Sequence, residues 1–413
     1  MTEPGTDSKR RGPLSGVRVL DCSHQYAGAF ASGILRDMGA EVIAIEHPKG
    51  SPIRTMLPKR GKDSLWWLVL QREKRNVTLD LSKPEGRALF LRLAATADVV
   101  VENFRPGTME KWKLGPRDLE AEGIRLVMLR ISGYGQTGSL RDRPGFGTAA
   151  EALSGFAHLN GFPDTPPALP SITLADGVAG VFGLIGALST LVDYRSNPGR
   201  KGVTVVDSGL VDGLFKLIPN QVTAYDQLGI EMRRYGNSLL DKGVLRDLFV
   251  TADGRYVALG GGIGPTAIHR TVSAIEAHDL AEQVKNGILK EDHETVTAFF
   301  REAHARASKW IASKNFDEAT AILNRAGVVF APIYSVKEIV ADPYFEERKN
   351  IITMKDDAGT PIKVSGIVPK VEGADVPTDR AGSAMGAFNA EVFCGELGLD
   401  AAELARLKSA GVV

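Results

Sequence analysis

The feature that most limits the possible folds is a regular alternation of short apolar runs with helical patterns. The runs are rich in β-branched residues and end in polar or glycine-rich loops. Strands buried on both faces and alternating with helices are typical of a parallel sheet covered by helices. The sequence therefore predicts a doubly wound, Rossmann-like α/β fold. The predicted strands span residues 16–23, 41–46, 75–81, 98–104, 124–135 and 199–209.

Changes of pattern along the 413 residues predict more than one domain. Residues 1–12 are polar and are expected to form a flexible lead, followed by a large sheet-containing domain over 13–234. Residues 235–330 are expected to form a smaller α+β domain, because a strand pair at 245–262 precedes charge-rich helical sequence. Residues 331–413 are predicted to return to the large domain.

Charge balance and cysteine content exclude several classes of function. Fifty basic residues balance fifty acidic ones, so no overall field favours nucleic acid or an anionic membrane. The two cysteines are far apart, which favours a reducing, cytoplasmic setting. The seven histidines form no HExxH motif, and we expect no metal site. The longest apolar stretch, 177–192, is shorter than the ~20 residues that cross a bilayer, and we interpret it as a buried helix.

One carboxylate, Asp176, stands at the head of this stretch, in ITLADGVAGVFGLIGAL (172–188). It is suited to a helix N-cap, because aspartate accepts hydrogen bonds from the free amides of a first turn. It is also suited to a nucleophile, which needs space beside it for an acyl adduct. Glycines at every third position after it would let a backbone or a flat ligand approach closely. The pattern alone favours the cap and leaves the nucleophile as the alternative.

Basic residues flank several of the predicted strands. Ligands of parallel sheets bind at the carboxyl ends of the strands, and cations grouped there are suited to the phosphates of a nucleotide-like cofactor. Surface cations often only face water, so both interpretations stand. The glycine-rich segment GGGIG (260–264) follows a strand but lacks nucleotide-binding spacing. The basic residues in question are His47, Lys49, Lys74, Arg75, Arg105 and Lys111.

Five sequence blocks follow one another along the chain: PLSGVRVLDCSHQYAGAF, KRNVTLDLSKPEG, ADVVVENFRPGTMEKWKLG, ISGYGQTGSLRDRPGFG and LADGVAG. In this order they resemble the class III CoA-transferases, the CaiB/BaiF family of formyl-CoA transferase and carnitine CoA-transferase. The chain is similar to this family from about Pro13 to its C-terminus. The resemblance implies the fold of that family, an interlocked homodimer whose chains each have a Rossmann-like large domain and a small domain.

The resemblance also implies a reaction. In the family an aspartate, matched here by Asp176, attacks an acyl-CoA thioester to form a mixed anhydride. CoA then forms a thioester on the same aspartate, and an acceptor acid takes the CoA. This exchange needs no ATP, metal or redox cofactor, so the expected partners are an acyl-CoA and a carboxylic acid. The segments GFGTAAEALSG and PPALPSITLADG are most similar to members that use succinyl-CoA.

Matched position by position, the family implies a set of ligand contacts. Tyr26 stands where formyl-CoA transferase has a glutamine near the acyl group, and Arg54 and Arg143 are candidates to pair with a distal substrate carboxylate. The glycine loop of the family aligns with 236–243 rather than with GGGIG. His47 and Lys111 stand where arginine is frequent. The expected CoA contacts are His24, Gln25, Ala27, His47, Lys74, Arg75, Asn103, Phe104 and Lys111.

Two other functions are weighed against CoA transfer. The α-methylacyl-CoA racemases of the same superfamily use a histidine and an aspartate as acid and base. Their histidine lies in a GHD triplet that aligns with 145–147, which here reads Gly-Phe-Gly and lacks both polar groups. A non-catalytic CoA-binding subunit is the second alternative, and the presence of Asp176 with its glycine neighbours argues against it.

Overall fold

The computed structural model of the protein describes residues 12–238, 245–260, 262 and 264–413. The predicted flexible lead, apart from its last residue, lies outside the described residues. So do parts of both glycine-rich segments, at 239–244, 261 and 263. The chain divides into two compact units. The larger comprises Met1–Phe156, Leu169–Pro219 and Pro343–Val413, and the smaller comprises Ala157–Ala168 and Asn220–Asp342.

The strands and helices are numbered in chain order. The strands are β1 (Arg18–Asp21), β2 (Glu41–Glu46), β3 (Lys59–Arg60), β4 (Asp63–Ser64), β5 (Arg75–Thr78), β6 (Val99–Glu102), β7 (Leu126–Ser132), β8 (Val203–Gly209), β9 (Asp247–Val250), β10 (Tyr256–Leu259), β11 (Phe330–Pro332), β12 (Ile351–Lys355) and β13 (Pro361–Ser365). The helices are α1 (Tyr26–Asp37), α2 (Leu65–Leu70), α3 (Pro84–Ala94), α4 (Thr108–Lys111), α5 (Pro116–Ala121), α6 (Gly147–Leu153), α7 (Phe156–Leu159), α8 (Leu174–Ser196), α9 (Leu210–Lys216), α10 (Pro219–Leu228), α11 (Pro265–Ala274), α12 (His278–Lys285), α13 (His293–Ala312), α14 (Phe316–Arg325), α15 (Val336–Ala341), α16 (Pro343–Glu347) and α17 (Ala401–Ser409).

A six-stranded parallel sheet organises the larger unit. Its strand order is β5-β2-β1-β6-β7-β8, and every neighbouring pair is parallel. If only these six strands are numbered along the chain, their order in the sheet is 3-2-1-4-5-6, as in doubly wound dinucleotide-binding folds. The predicted α/β fold is therefore confirmed. The order reverses between β1 and β6, so the loops after these two strands flank a crevice at the carboxyl edge.

Both faces of the sheet are buried, which is why its strands read as continuous apolar runs. Leu20 of β1 and Val100 of β6 belong to a core that α3 covers. Their neighbours Val19 and Val101 belong to a second core, which α1 and α8 cover on the opposite face. Helices on the two faces thus leave the strand ends as the place where ligands can reach the sheet.

Helix α8 is only half buried, in contrast to the predicted buried helix. One side packs on α1 and on the sheet, whereas Val181, Ile185 and Val192 on the other side are 44%, 55% and 65% exposed. Its 23 residues make it the one described helix that is long and apolar enough to cross a membrane. Core helices can also meet this criterion, and the side of α8 that faces the sheet belongs to the second core.

The glycines of α8 bring the helix close to other parts of the protein. A Cβ at Gly180 would lie 3.2 Å from the carbonyl oxygen of Ala27, and a Cβ at Gly183 would lie 2.7 Å from Leu129. A Cβ at Gly186 would likewise lie 2.7 Å from Val206 Cγ1. These three glycines therefore serve helix packing rather than the approach of a flat ligand, whereas Gly177 lines an open cleft.

The smaller unit extends beyond the expected range of 235–330 at both ends. At its start it includes 157–168, where the Gly236 amide donates a hydrogen bond of 3.1 Å to the Gly161 carbonyl. At its end, β11 completes a three-stranded antiparallel sheet with β10 and β9. Hydrogen bonds between segments distant in sequence determine where the smaller unit begins and ends. Such bonds cannot be predicted from local composition.

Candidate active site at the carboxyl edge of the sheet

The loops after β1 and β6 meet at the point where the strand order reverses. The His24 amide donates a hydrogen bond of 3.1 Å to the Asn103 side-chain oxygen, and the rings of His24 and Phe104 lie 4.7 Å apart. Gln25 occupies the N-cap position of α1, and Ala27 is buried in its first turn. The structure thus brings five of the predicted CoA contacts together at the crevice.

Buried acids hold these two loops in place. Glu102, at the end of β6, accepts a hydrogen bond of 2.7 Å from the Phe104 amide and one of 2.6 Å from Arg130. Asp21, at the end of β1, accepts hydrogen bonds from the amide and the hydroxyl of Ser23. Each acid stands at a strand end, so the strand itself fixes the position of the loop.

Lys74 is a correction to the predicted CoA contacts. Its side chain is fully buried, and its Nζ donates to Asp21 Oδ2 at 2.9 Å, to the Ala29 carbonyl at 2.8 Å and to Ser32 Oγ at 2.8 Å. An ammonium group has three protons, and all three are used. Lys74 therefore links the end of β1 to α1 and is not free to bind phosphate.

Arg75 is a second correction, because it lies at the start of β5 and hence at the opposite edge of the sheet. Its guanidinium pairs with Glu41, Glu391 and Glu396. The sign of its charge suggested a phosphate ligand, but three carboxylates of this chain already satisfy it.

His47 and Lys111 remain available to a ligand. His47 follows β2 at the carboxyl edge and is half exposed. Its Nε2 lies 3.5 Å from Asp80 Oδ2. Lys111 ends α4, in the segment that follows β6, and its side chain is exposed. Their role as phosphate contacts stays a prediction.

Asp176 is the third residue of α8 and not its N-cap, which is Thr173. Its carboxylate Oδ2 lies against Gly147 at the start of α6, where a Cβ would be only 2.6 Å away. Tyr26, the first residue of α1, forms a hydrogen bond with Thr173 and is close enough to Asp176 to feel its charge. Three helix starts therefore surround the carboxylate.

The electrostatic setting of Asp176 favours its neutral form. Burial, with a smaller contribution from the charge of Glu151, raises the pKa of this carboxyl to about 6, although a hydrogen bond from its own backbone amide lowers it in part. Burial and the charge of Asp176 also raise the pKa of the Tyr26 phenol. A carboxylate with a raised pKa at a cleft is typical of a functional group rather than of a helix cap.

An open cleft of about 900 Å³ begins beside Asp176. The ring of Tyr26 stacks on Phe30 at 5.3 Å and meets the edge of Trp66 at 5.4 Å, which gives one wall of the cleft a rigid aromatic surface. The remaining lining is mostly apolar and comes from the segment before α8 and from the exposed side of that helix. The lining residues are Tyr26, Phe30, Trp66, Pro170, Ser171, Ile172, Thr173, Leu174, Gly177, Val178, Val181, Phe182 and Leu217.

The two arginines expected near the substrate differ in availability. Arg54 is a further correction: its guanidinium binds Glu46 through bonds of 2.8 and 2.6 Å and lies 3.5 Å over the Trp67 ring. It is thus committed to the protein. Arg143 is exposed, and among the residues that the structure describes no acid pairs with it. It precedes Gly147 by four residues and stays a predicted substrate contact.

Sequence reasoning missed Glu151, Phe30 and Trp66. Glu151 and Trp66 had no spacing pattern that separates them from ordinary helix residues. The fold places the charge of Glu151 near Asp176 and the Trp66 ring against Tyr26. Phe30 follows Tyr26 by four residues, so helical spacing could have placed both on one face. Among the described residues, no group of three or more His, Cys, Asp or Glu side chains is arranged to hold a metal ion.

The strand order, the crevice at its reversal and the half-buried carboxylate beside it define an α/β protein with a ligand site at the carboxyl edge. The sequence model of CoA-transferase family III matches residues 14–387, and the chain belongs to this family of enzymes. The resemblance seen in the sequence is thereby confirmed. A family III CoA-transferase moves CoA between an acyl-CoA and a carboxylic acid.

Similar proteins agree with this assignment. The chain is 36% identical to the succinyl-CoA–D-citramalate CoA-transferase of Chloroflexus aurantiacus, over 97% of this chain and 98% of that protein. It is 34% identical to the alpha subunit of succinyl-CoA–L-malate CoA-transferase from Chloroflexus aurantiacus, over 100% and 95% of the two chains. A crystal structure of a CaiB/BaiF family protein from Brucella suis aligns with a TM-score of 0.78 at 26% identity, covering 93% of this chain and 99% of that one.

The raised pKa of Asp176 predicts a cost in stability. In the unfolded chain its pKa is about 3.9, so the folded state binds more protons between about pH 4 and pH 6 and loses stability as the pH rises through this range. We expect Asp176→Asn to raise the free energy of unfolding by about 2–3 kcal/mol at pH 7.5 and to leave it nearly unchanged at pH 4. Urea unfolding at both pH values measures this.

The exposed Asp164→Asn serves as the matched control and should change stability at neither pH. An equal gain at pH 4 and pH 7.5 for Asp176→Asn would show that the ionised carboxylate is not the source of the cost.

Proposed function

We propose that Asp176 is the nucleophile of the CoA transfer. Its carboxylate oxygen bonds to the thioester carbonyl carbon, the C–S bond breaks, and CoA leaves as the thiolate, which gives a mixed anhydride. The thiolate then attacks the Asp176 carbonyl carbon, and the donor acid leaves as a carboxylate. An acceptor carboxylate repeats these steps in reverse, which releases the new acyl-CoA and restores Asp176.

The observation that carries this proposal is one half-buried carboxylate, with a pKa of about 6, whose neighbour in the helix, Gly177, lines an apolar cleft. A partly desolvated carboxylate is a stronger nucleophile than one in water, yet at neutral pH it is largely ionised. The absence of a side chain at Gly147 leaves room for the acyl adduct beside Oδ2.

The crevice between β1 and β6 is proposed to take CoA. His24, Gln25, Ala27, Asn103 and Phe104 line the point where doubly wound sheets bind nucleotides. His47 and Lys111 are the cations proposed for its phosphates. Tyr26 begins the helix that runs from this crevice, and it contacts Thr173 next to the nucleophile. The pantetheine arm would thus reach Asp176 along α1.

Succinyl-CoA is the proposed donor, and a dicarboxylic acid is the proposed acceptor. The names of the two similar Chloroflexus enzymes support this, since both use succinyl-CoA. A dicarboxylate also needs a cation for its distal carboxylate, and the exposed Arg143 near Gly147 is suited to this role. Racemase chemistry is disfavoured, because the triplet that holds the racemase histidine reads Gly-Phe-Gly at 145–147 and supplies no base.

Trapping of the covalent intermediate tests the mechanism. The protein is mixed with succinyl-CoA, quenched with hydroxylamine or borohydride, and analysed by intact mass and peptide mapping. We expect the modification on Asp176, because both the anhydride and the CoA thioester form there. Asp176→Ala should lose the modification and about 10³-fold or more of kcat.

Asp193→Asn, at the far end of the same helix, should keep both the modification and the activity. Turnover without any modification of Asp176, or modification at another carboxylate, would rule out the proposed nucleophile. If succinyl-CoA gives no adduct, a panel of other acyl-CoAs separates a wrong donor from a wrong mechanism.

The role of Arg143 is testable through the choice of substrate. Arg143→Gln should raise the KM for succinyl-CoA by about 3- to 10-fold, because one charge-assisted hydrogen bond is lost. The KM for propionyl-CoA, which lacks the distal carboxylate, should not change. Arg141→Gln, two residues away, is the matched control. A similar rise for both acyl-CoAs would assign Arg143 to CoA rather than to the acid.

A dimer is the proposed assembly, and the exposed side of α8 supports it. Val181, Ile185 and Val192 recur at helical spacing and form an apolar stripe that a second chain could cover. In sedimentation the protein should therefore have twice the 44.3 kDa of one chain. Ile185→Glu should shift it to the monomer, whereas Lys113→Glu should not. A monomer with full activity would contradict this assembly, and activity only with an added homologous chain would indicate paired subunits.

A further inference from the structure

Residues 133–145, which connect β7 to α6, form a loop whose two ends touch each other. A Cβ at Gly133 would lie only 3.2 Å from the Cα of Gly145. A Cβ at Gly145 would in turn lie 2.6 Å from the ring of Tyr134. Most of the residues between these ends are exposed. Compact surface loops with adjoining ends are Ω-loops, and they frequently carry function.

Asp207 on β8 holds this loop at its base. Its Oδ2 accepts a hydrogen bond of 2.8 Å from the backbone amide of Gln136. The same oxygen would lie 3.4 Å from a Cβ at Gly135, so the loop backbone lies against the carboxylate. Gly135 has a φ of +82°, which glycine adopts without steric cost. Because β8 is paired with β7 along its whole length, Asp207 fixes the base of the loop to the sheet.

The base of the loop also leads to the proposed nucleophile. Gly147 follows Gly145 by two residues, and a Cβ on it would lie 2.6 Å from Asp176 Oδ2. Arg143 precedes Gly145 by two residues, so its Cα is at most about 14 Å from that of Gly147. The Arg143 amide donates a hydrogen bond of 2.9 Å to the Leu140 carbonyl, which closes a turn at this point. The exposed cation thus stands close to the fixed end of the loop.

We propose that Asp207 is a positioning residue for the carboxylic acid: by fixing the base of the loop, it holds Arg143 where the distal carboxylate of a dicarboxylate substrate binds. This inference rests on the proposed roles of Asp176 and Arg143. A cation on a fixed loop loses less freedom on binding, so more of its charge-assisted hydrogen bond appears as affinity. An acyl group without a distal carboxylate makes no such bond, and its binding does not depend on Asp207.

The groups around Asp207 do not replace its bond to the loop. The Val211 amide donates to the Gly133 carbonyl over 3.4 Å, a long and therefore weak hydrogen bond. Asp212 on α9 acts on Asp207 through its charge and is exposed. Among the residues that the structure describes, the bond to Asp207 is the shortest hydrogen bond between the loop and β8 or α9.

Substrates with and without a distal carboxylate test this role. Asp207→Ala removes the acceptor and should raise the KM for succinyl-CoA by about 3- to 10-fold, with no change in the KM for propionyl-CoA. Asp207→Asn keeps an oxygen that can accept the Gln136 amide, and it should behave like the unmodified protein. Asp212→Asn removes a neighbouring negative charge and, as the matched control, should change neither KM.

A double-mutant cycle shows whether Asp207 acts through Arg143. Once Arg143→Gln has removed the cation, the further change Asp207→Ala should raise the KM for succinyl-CoA no more. Additive effects of the two changes would show that Asp207 acts on binding by another route, and they would overturn the inference. Asp207→Leu, which fills the space without an acceptor, replaces Asp207→Ala if that variant does not fold.

Hydrogen exchange measured by mass spectrometry follows the loop without catalysis. Asp207→Ala should speed exchange several-fold in peptides that cover 133–145, because the Gln136 amide loses its acceptor, whereas Asp207→Asn should not. Unchanged exchange in Asp207→Ala would overturn the inference. So would an unchanged KM for succinyl-CoA in this variant if Arg143→Gln raises that KM. Faster exchange with no effect of Arg143→Gln would instead overturn the proposed role of Arg143, on which the inference rests.

Discussion

The close packing of α8 on the sheet is the constraint on which the site depends. Gly183 and Gly186 let the helix lie directly on the side chains of Leu129 and Val206, and Ser208 on β8 donates a hydrogen bond of 2.8 Å to the Ala179 carbonyl. Since β7 and β8 are themselves fixed in the sheet, the start of α8 has no freedom to move along them. This rigid placement holds Asp176 at the carboxyl edge, where a bulkier residue in place of either glycine would lift the helix away.

Charge at this edge is divided between structure and function. Two cations with carboxylate partners, Lys74 and Arg54, are buried or half-buried and support the loops around the site. The acid at the centre has the opposite arrangement, because Asp176 is partly desolvated and has Glu151 rather than a cation beside it. Paired charges thus stabilise the frame, whereas the charge proposed for the chemistry has no cation beside it, at a cost in stability that the frame must offset.

Much of the fold and the residue proposed as the nucleophile were accessible from the sequence. Six apolar runs predicted the six parallel strands, and the second of them matches β2, Glu41–Glu46, to the residue. The resemblance to the family singled out Asp176. The predictions that failed were mostly those that read a function from a residue type: Lys74 and Arg75 are basic as a phosphate ligand should be, but acids distant in sequence neutralise both.

The sequence by itself determined the strands, the helices that cover them and the chemistry available at residue 176, because apolar periodicity and residue type are local properties. The tertiary structure alone decided which cations remain free, that one face of α8 stays exposed in this chain, and that the charge of Glu151 acts on Asp176. These depend on which side chains come together from distant parts of the chain, as in the bond from Arg75 to Glu396 across 321 residues. Burial and neighbouring charge then set the pKa of Asp176, and neither exists before the chain has folded.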